Sequence, residues 1–304
     1  MTTTLVQPSS LSSWFLALRP KTLTAALIPV CVASALAYKK LGSDFKISLS
    51  LWALLVAFLI QSATNLINDA LDFVKGTDTI ERLGPRRVSA SGWIAPQVVL
   101  GAGLFLLLAA FAAGIPLVQA AGIEILFLGL VSLLCAYLYT GGPAPLAYTG
   151  LGDPFVLIFF GWVATMGLFY IHTGFVSQES FIAGTQVGML STVLIAINNY
   201  RDIAEDSKNK KRTLAVRLGP QFVKAEVLVL IFGSFLLLFL WQFSLSPVAI
   251  GFWILLGFFG LSIVRKVFVT PPSKALNAVL GQSALLHLLF GLGLSFFIFN
   301  SKLS

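Results

Sequence analysis

Long apolar stretches, separated by short polar segments, follow one another along almost the whole chain. Nine of them cover residues 22–38, 47–68, 98–118, 122–139, 153–173, 182–200, 225–243, 247–264 and 282–299. Each is about as long as the roughly 20 residues that a helix needs to cross the hydrocarbon core of a bilayer. Lipid offers the backbone no hydrogen-bonding partners, so only helices suit such stretches. The pattern predicts an all-α, polytopic membrane protein with nine transmembrane helices.

The composition agrees with this interpretation. Hydrophobic residues make up 57% of the 304 positions and charged residues 11%, whereas soluble proteins carry about 25% charged residues. The start of the chain is mostly polar, so we expect a flexible N-terminus over residues 1–18 and no cleaved signal peptide. Cys31 and Cys135 fall inside predicted helices and indicate no disulfide framework or metal site. We expect one membrane-embedded domain over residues 1–304.

The basic residues predict the orientation. If the nine helices alternate in direction, 16 of the 20 lysines and arginines fall on the side of the N-terminus. Cytoplasmic loops retain positive charge, so we expect an N-terminus in the cytosol, in a protein of the cytoplasmic (inner) membrane. The formal charge of +8 is then mainly a topology signal, and nucleic-acid binding is not needed to explain it.

Acidic residues cluster in two of the cytosolic segments. Seven of the 12 acids lie in them: Asp69, Asp72, Asp78, Glu81, Asp202, Glu205 and Asp206. In the first segment Asn65, Asn68, Asp69 and Asp72 are spaced by three or four residues, so they share one face of a helix. That helix continues from an apolar stretch, and its polar face must therefore border a cavity and not lipid.

The second acidic segment repeats the pattern four helices later. Asn198, Asp202 and Asp206 follow one another at intervals of four residues and again share one helix face. Two solvated loops without a function would rarely resemble each other in this way. The recurrence also suggests an internal duplication, in which helices 1–4 correspond to helices 5–8 and both motifs lie on one face of the membrane.

These residue types point to a metal and a phosphate. Carboxylates on one face repel each other unless cations lie among them, and Mg²⁺ takes oxygen ligands and bridges carboxylates to substrate phosphates. Basic side chains suited to phosphate lie beside both motifs: Lys75, Arg82, Arg86, Arg87, Arg201, Lys210, Lys211 and Arg212. The sequence therefore predicts a site for Mg²⁺ and a diphosphate.

A third polar segment, residues 137–154, lies on the same side and contains neither lysine nor arginine. Its glycines and prolines predict a tight, irregular backbone. Two interpretations stay open: the segment is a connecting turn, or it forms a wall of the cavity in which Tyr139 and Tyr148 contact an aromatic substrate.

Residues 65–87, 139–153 and 198–219 resemble the UbiA superfamily of intramembrane aromatic prenyltransferases, most of all its MenA-type branch. The resemblance runs from about Arg19 to Gly219 and implies nine helices around a central cavity that is capped on the cytosolic side. It also implies Mg²⁺-dependent transfer of a polyprenyl group from an allylic polyprenyl diphosphate to 1,4-dihydroxy-2-naphthoate. Loss of CO₂ and diphosphate would give demethylmenaquinone, a step of menaquinone biosynthesis.

The resemblance also implies roles for individual residues. The implied metal site contains Asn68, Asp69, Asp72, Asp78, Asn198, Asp202 and Asp206, of which Asp69, Asp72, Asp202 and Asp206 are the expected catalytic residues. The expected diphosphate contacts are Lys21, Lys75, Arg82, Arg201, Lys211 and Arg212. The expected acceptor contacts are Asn65, Tyr139 and Tyr148. The role of Asp78 stays open, because many relatives carry the next aspartate four residues after the one that matches Asp72.

Two alternative functions stay open at this stage. One is the same chemistry with homogentisate as acceptor or phytyl diphosphate as donor; hydroxybenzoate is disfavoured because residues 140–142 lack the basic residue usual in that branch. The other is a membrane transporter, which could also carry repeats and acids. Glu124 is the only clear acid inside a predicted helix, whereas ion pathways more often need ionisable groups deeper in the bundle.

Overall fold

The computed structural model describes residues 10–79, 82–241 and 246–300, and within these ranges the chain is helical and contains no strand. The α-helices are α1 (Ser10–Leu18), α2 (Pro20–Leu41), α3 (Ile47–Val74), α4 (Pro96–Ala121), α5 (Ile123–Leu138), α6 (Gly152–Val156), α7 (Gly167–Thr173), α8 (Gln178–Arg201), α9 (Ile203–Lys208), α10 (Leu214–Leu236), α11 (Pro247–Val269) and α12 (Leu276–Asn300). A π-helical segment, Leu157–Met166, joins α6 to α7 into one continuous rod.

Eight helical segments in the described ranges are long and apolar enough to cross a membrane. The ninth predicted span corresponds to α5, a shorter apolar helix of 16 residues. Large apolar side chains such as Phe105, Phe127 and Leu255 are exposed on the outside of the bundle, where lipid would cover them. The prediction of an all-α, polytopic membrane protein is confirmed.

The long helices extend past their predicted ends on the side that carries both motifs. α3 continues to Val74 and α8 to Arg201, so the first acidic motif lies wholly within a helix.

α10 starts at Leu214, before the predicted start at residue 225, and breaks at Gly219, whose φ of 82° allows the turn into Pro220. Glu226 therefore lies within a membrane-crossing segment, and the statement that Glu124 is the only clear acid in a span was wrong.

The N-terminal segment is more ordered than predicted. α1 forms from Ser10 onward, and Ala17 packs with Leu66, Ala70 and Val99 against α3 and α4. The expectation of a flexible segment up to residue 18 is therefore wrong for residues 10–18, because the apolar face of this helix is buried. Residues 1–9 lie outside the described ranges.

The core of the bundle surrounds α8, whose side chains pack with those of α2, α10, α11 and α12. On its other side, α8 packs against the π-helical segment through glycines. A Cβ on Gly161 would lie 2.5 Å from the carbonyl oxygen of Gly184, and one on Gly188 would lie 2.6 Å from that of Leu157. Only glycine allows this approach, which brings the start of α6 next to the second acidic motif.

Candidate active site

A polar cavity lies where the ends of α3 and α8 meet the segment between α5 and α6. Its volume is about 80 Å³, and both motifs reach it, through Asn68 and Asp72 from α3 and through Asn198 and Asn199 from α8. A smaller polar cavity of about 30 Å³ adjoins it and is bordered by Asp72, Asp78, Asp202, Glu205 and Asp206. The two motifs, which are four spans apart in sequence, therefore share one site.

The carboxylates of the first motif are paired with arginines. Asp78 lies 3.1 Å from Arg82 Nε and 2.8 Å from Arg87 Nε. Arg87 also reaches Asp72, at 3.8 Å from its Nη2. Burial nevertheless raises the pKa of Asp78 to about 7, and the arginines only partly oppose this shift. Arg87 borders both cavities, whereas its neighbour Arg86 is exposed.

The carboxylates of the second motif are paired in the same way. Asp206 Oδ1 lies 3.3 Å from Lys211 Nζ, while Asp202 is bound by Arg201 through Nε at 2.7 Å and Nη2 at 2.6 Å. Burial raises the pKa of Asp206 to about 6. Burial also acts to lower the pKa of Lys211, but Asp206 and the neighbouring carboxylates outweigh it, so the net shift is upward. Lys211 is therefore a firmly charged cation that borders both cavities.

Three predicted site residues have structural partners instead of a place in either cavity. Asp69 accepts hydrogen bonds from the backbone amides of Val88 (3.1 Å) and Ser89 (2.9 Å). Asn65 donates to the carbonyl of Leu18 at 2.9 Å. Tyr148 donates to Asp72 Oδ1 at 2.8 Å. Each of these bonds positions a neighbour of the site, and direct contact of these three side chains with a metal or an acceptor stays a prediction.

The residues predicted to contact the diphosphate also fall into two groups, those that border a cavity and those that do not. Lys211 and Arg82 border a cavity, but Arg201 is 1% exposed with its guanidinium bonded to protein groups. The side chain of Arg212 is exposed and borders neither cavity. Lys75 donates to the carbonyl of Thr140 and lies over the ring of Tyr148, 4.8 Å from its centre. The side chain of Lys21 and the whole of Glu81 lie outside the described part of the chain.

Arg19 borders the larger cavity although the sequence argument did not include it among the site residues. Its backbone is left-handed, with φ 52° and ψ 68°, a conformation that is uncommon for a residue other than glycine and that costs energy. Two contacts hold it in place, since Thr22 Oγ1 donates to its carbonyl at 2.9 Å and Asn65 binds the preceding carbonyl. Its Nη2 is buried without a hydrogen-bond partner, which leaves a cationic donor beside the cavity for an anion.

The larger cavity is also lined by Tyr139, Asp153 and Asn199. Asn199 donates to Asp153 Oδ2 at 3.3 Å. Burial and the charge of Asp153 raise the pKa of Tyr139, so its hydroxyl stays protonated and can donate a hydrogen bond. The placement of Tyr139 agrees with the predicted cavity wall, whereas Asp153 was missed. Its position at the start of an apolar stretch is also typical of an ordinary helix N-terminus, so the sequence offered no separate signal.

The donor set suits Mg²⁺. Among the described residues, no three His, Cys, Asp or Glu side chains are grouped closely enough to hold an ion alone. However, Asp72, Asp202 and Asp206 border one small cavity, and Asp206 Oδ2 is buried without a hydrogen-bond partner. Such an oxygen is costly unless a cation or donor reaches it. Mg²⁺ is commonly bound by one or two carboxylates together with waters and substrate phosphates, and these residues fit that arrangement.

Comparison with known proteins agrees with this geometry. The chain is 37% identical over 246 residues to the 1,4-dihydroxy-2-naphthoate octaprenyltransferase of Escherichia coli (strain K12), covering 79% of each chain. It is 33% identical over 298 residues to the protein of the same name from Haemophilus influenzae, covering 93% of this chain and 96% of that one.

A solved structure shares the fold. The UbiA homolog from Archaeoglobus fulgidus bound to DMAPP and Mg²⁺ superposes with a TM-score of 0.64 at 15% identity, over 94% of this chain and 99% of that one. The model of the UbiA prenyltransferase family matches residues 12–295. The protein is an integral membrane protein that belongs to the UbiA prenyltransferase family.

Proposed function

We propose that the protein transfers a polyprenyl group from an allylic polyprenyl diphosphate to 1,4-dihydroxy-2-naphthoate, with loss of CO₂ and diphosphate, in menaquinone biosynthesis. The observation that carries this proposal is the pair of adjoining cavities, in which carboxylates from both motifs lie together with the charged Lys211. Arg19, whose Nη2 is buried without a hydrogen-bond partner, borders the larger of the two. The names of the relatives, octaprenyltransferases acting on this naphthoate, supply the acceptor.

Within this proposal the residues divide into groups by their charge. Asp72, Asp202 and Asp206 hold Mg²⁺, with Asn68, Asn198 and Asp78 close by. Arg19, Arg82, Arg87 and Lys211 bind the diphosphate oxygens. When bound, Mg²⁺ draws charge onto the leaving diphosphate. The basic side chains stabilise the same charge as it develops, and they do so in a site that the helices shield from water.

The acceptor lies at the end of the cavity lined by Tyr139 and Asp153. Thr140 and Gly141, which are buried next to Tyr139, stand where the hydroxybenzoate-prenylating branch usually has a basic residue, which disfavours hydroxybenzoate as the acceptor. The basic-residue pattern supports a cytosolic mouth for this site and placement in the inner membrane. Homogentisate and phytyl diphosphate are the competing acceptor and donor. The transporter alternative loses support, because the polar cavity is small and is bordered by the diphosphate-type residues.

The test is an assay of the purified protein in detergent or lipid with 1,4-dihydroxy-2-naphthoate and a labelled polyprenyl diphosphate, with Mg²⁺ or with EDTA. We expect Mg²⁺-dependent release of CO₂ and diphosphate together with a prenylated naphthoquinol. A folded protein that shows no turnover with this acceptor, but does show turnover with homogentisate, would contradict the assigned acceptor while retaining the chemistry. Competition between donors of different length would then identify the prenyl group.

A further inference from the structure

Asp153 differs from the other carboxylates of the site in its surroundings. It is the second residue of α6, is 3% exposed, and borders the larger cavity beside Tyr139. Its polar partner from another helix is Asn199, at 3.3 Å. It therefore borders the cavity in which the acceptor is proposed to bind.

The difference lies in the counter-ions. Asp72, Asp78, Asp202 and Asp206 each have an arginine or lysine nitrogen within 4.0 Å. Within the described residues Asp153 has no such ion pair. A buried carboxylate held by cations stays ionised and is suited to binding a metal, whereas one without a cation is suited to taking up a proton.

A second buried carboxylate lies on α10. Glu226 has its Oε2 buried without a hydrogen-bond partner. It borders neither cavity, however, whereas Asp153 borders the larger one. Of the two carboxylates, Asp153 is therefore the one placed to reach a bound acceptor.

We propose that Asp153 is the base that takes the proton from the 1-hydroxyl of the bound naphthoate and later returns it. This inference rests on the proposed function. General acid–base catalysis of this kind requires the group to lie within hydrogen-bond reach of the acceptor hydroxyl, and the position of Asp153 on the cavity wall provides that.

The step balances without a further reactant. A bond forms between the ring carbon that carries the carboxylate and the first prenyl carbon, while the prenyl C–O bond to diphosphate breaks. Asp153 takes the proton of the adjacent hydroxyl, so that the ring becomes a ketone at that oxygen. CO₂ then leaves, the electron pair of its bond returns to the ring, and Asp153 gives the proton back to the oxygen. The product is the quinol form of demethylmenaquinone.

The other groups near this end fit the role less well. The hydroxyl of Tyr139 stays protonated and is a hydrogen-bond donor. Asp72 and Asp206 are held by Arg87 and Lys211. Tyr139 is placed to hold the acceptor while Asp153 moves its proton.

The test compares Asp153→Asn, Glu226→Gln and the control Glu124→Gln, which changes an exposed carboxylate in the first turn of α5. We expect Asp153→Asn to lower kcat about 100-fold or more, with binding of Mg²⁺ and the unreacted prenyl diphosphate unchanged in calorimetry. Glu226→Gln, at a buried carboxylate that borders neither cavity, and Glu124→Gln should stay within about threefold of wild type, well below the effect of a lost acid–base group. A fluorinated acceptor with a more acidic hydroxyl should restore part of the activity of Asp153→Asn.

The outcomes separate the two proposals. Wild-type turnover together with an equally fast Asp153→Asn variant would overturn the role of Asp153 and leave the proposed function intact. The same holds if the fluorinated acceptor gives the same mutant-to-wild-type ratio as the natural one, or if Glu226→Gln alone abolishes turnover. A wild-type protein that transfers no prenyl group to the naphthoate would overturn the proposed function, and the role of Asp153 with it.

Discussion

Arg201 binds the carboxylate of Asp202, its neighbour in the chain, through two N–H···O hydrogen bonds of 2.7 and 2.6 Å. The same guanidinium donates to Asn198 at 2.8 Å and to Asn277 at 2.7 Å. All of these contacts lie within the protein, so Arg201 positions the second motif. Its planar, forked geometry is what allows one side chain to serve three acceptors.

Arg201→Lys should therefore be strongly impaired although the charge is retained. An ammonium cannot reproduce the two parallel bonds to Asp202 while also reaching Asn198 and Asn277. We expect a loss of turnover of at least about 100-fold, in line with a buried ion pair broken at a cost of about 3–5 kcal/mol, and a higher Mg²⁺ concentration for half-maximal activity. Activity against Mg²⁺ concentration checks this, and Arg212→Lys, at an exposed position, is the matched control. Equal curves for both variants would contradict the positioning role.

Asp72→Ala and Asp202→Ala should both abolish turnover, but with different effects on stability. Removal of Asp72 leaves Arg87 paired with Asp78 at 2.8 Å, so we expect the protein to insert, purify and melt near the wild-type temperature. Removal of Asp202 leaves Arg201 buried without its carboxylate, at a cost of about 3–5 kcal/mol. Turnover and thermal unfolding in detergent distinguish the two. The control is Asp44→Ala, at an exposed position. Near-normal activity of Asp72→Ala would contradict the proposed metal site.

Tyr148→Phe should separate the hydroxyl from the ring. The hydroxyl contacts Asp72 and Thr77 at 2.8 Å each, and burial together with Asp72 raises the pKa of Tyr148, so it stays a donor. The ring faces Lys75 and Lys211. Loss of a hydrogen bond to a charged group costs about 1.5–3 kcal/mol, so kcat should fall about 10- to 100-fold in Tyr148→Phe and further in Tyr148→Ala. Wild-type kcat in Tyr148→Phe would show that the hydroxyl contributes nothing, and equal kcat values for the two variants would show that the ring contributes nothing beyond the hydroxyl.

Asn277→Ala should loosen the segment that follows the first motif. Asn277 accepts from Arg201 Nη1 and donates to the carbonyl of Leu83 at 2.9 Å. Without this side chain, we expect faster trypsin cleavage at the exposed Arg86. We also expect kcat to fall about tenfold, which corresponds to an increase of about 1.4 kcal/mol in the activation free energy. The control is Asn300→Ala, which removes an asparagine at the other end of α12. Its side chain donates a hydrogen bond of 2.8 Å within that helix. The same cleavage rate in both variants would exclude a link between α12 and this segment.

Gly161→Ala should destabilise the bundle. A Cβ at this position would lie 2.5 Å from the backbone oxygen of Gly184, which cannot move aside as a side chain can. Overpacking of this kind costs about 1–3 kcal/mol, so the unfolding temperature in detergent should fall. Gly101→Ala, on α4, meets nothing within 4 Å and should leave it unchanged or slightly higher. A Gly161→Ala protein as stable as Gly101→Ala would contradict the close helix contact.

The general location of the site could be predicted from the sequence because helical spacing fixes which residues share a face. Asp72 and Asp202 follow long apolar stretches of the sequence, where an unpaired acid is costly. Their recurrence after asparagines was therefore informative about the location of the site. Helical spacing alone could not show that Asp69 and Asp72 have different surroundings in the fold. Both fit the spacing, and only the fold shows that Asp69 receives the amides of Val88 and Ser89.

The remaining differences depend on tertiary contacts. Arg86 and Arg87 are adjacent and chemically identical, yet one is exposed and the other borders both cavities. Arg19 precedes a proline, and its left-handed backbone is accompanied by a bond from Thr22, three residues later, to its own carbonyl and by a bond from the distant Asn65 to the preceding carbonyl. Glu226 was placed at the edge of a predicted span because the break at Gly219 concealed the true start of α10. Apolar periodicity alone cannot locate such a break.

The bond from Asn277 to Leu83 also bears on how the enzyme is made. Both motifs are synthesised before α12, which begins at Leu276, and helices of a growing chain generally form in order from the N-terminus. The segment around Leu83 and the guanidinium of Arg201 are joined through a side chain of α12. A nascent or truncated chain that stops before α12 would contain every aspartate of both motifs and still lack that connection. Completion of the active site is therefore coupled to the synthesis of α12.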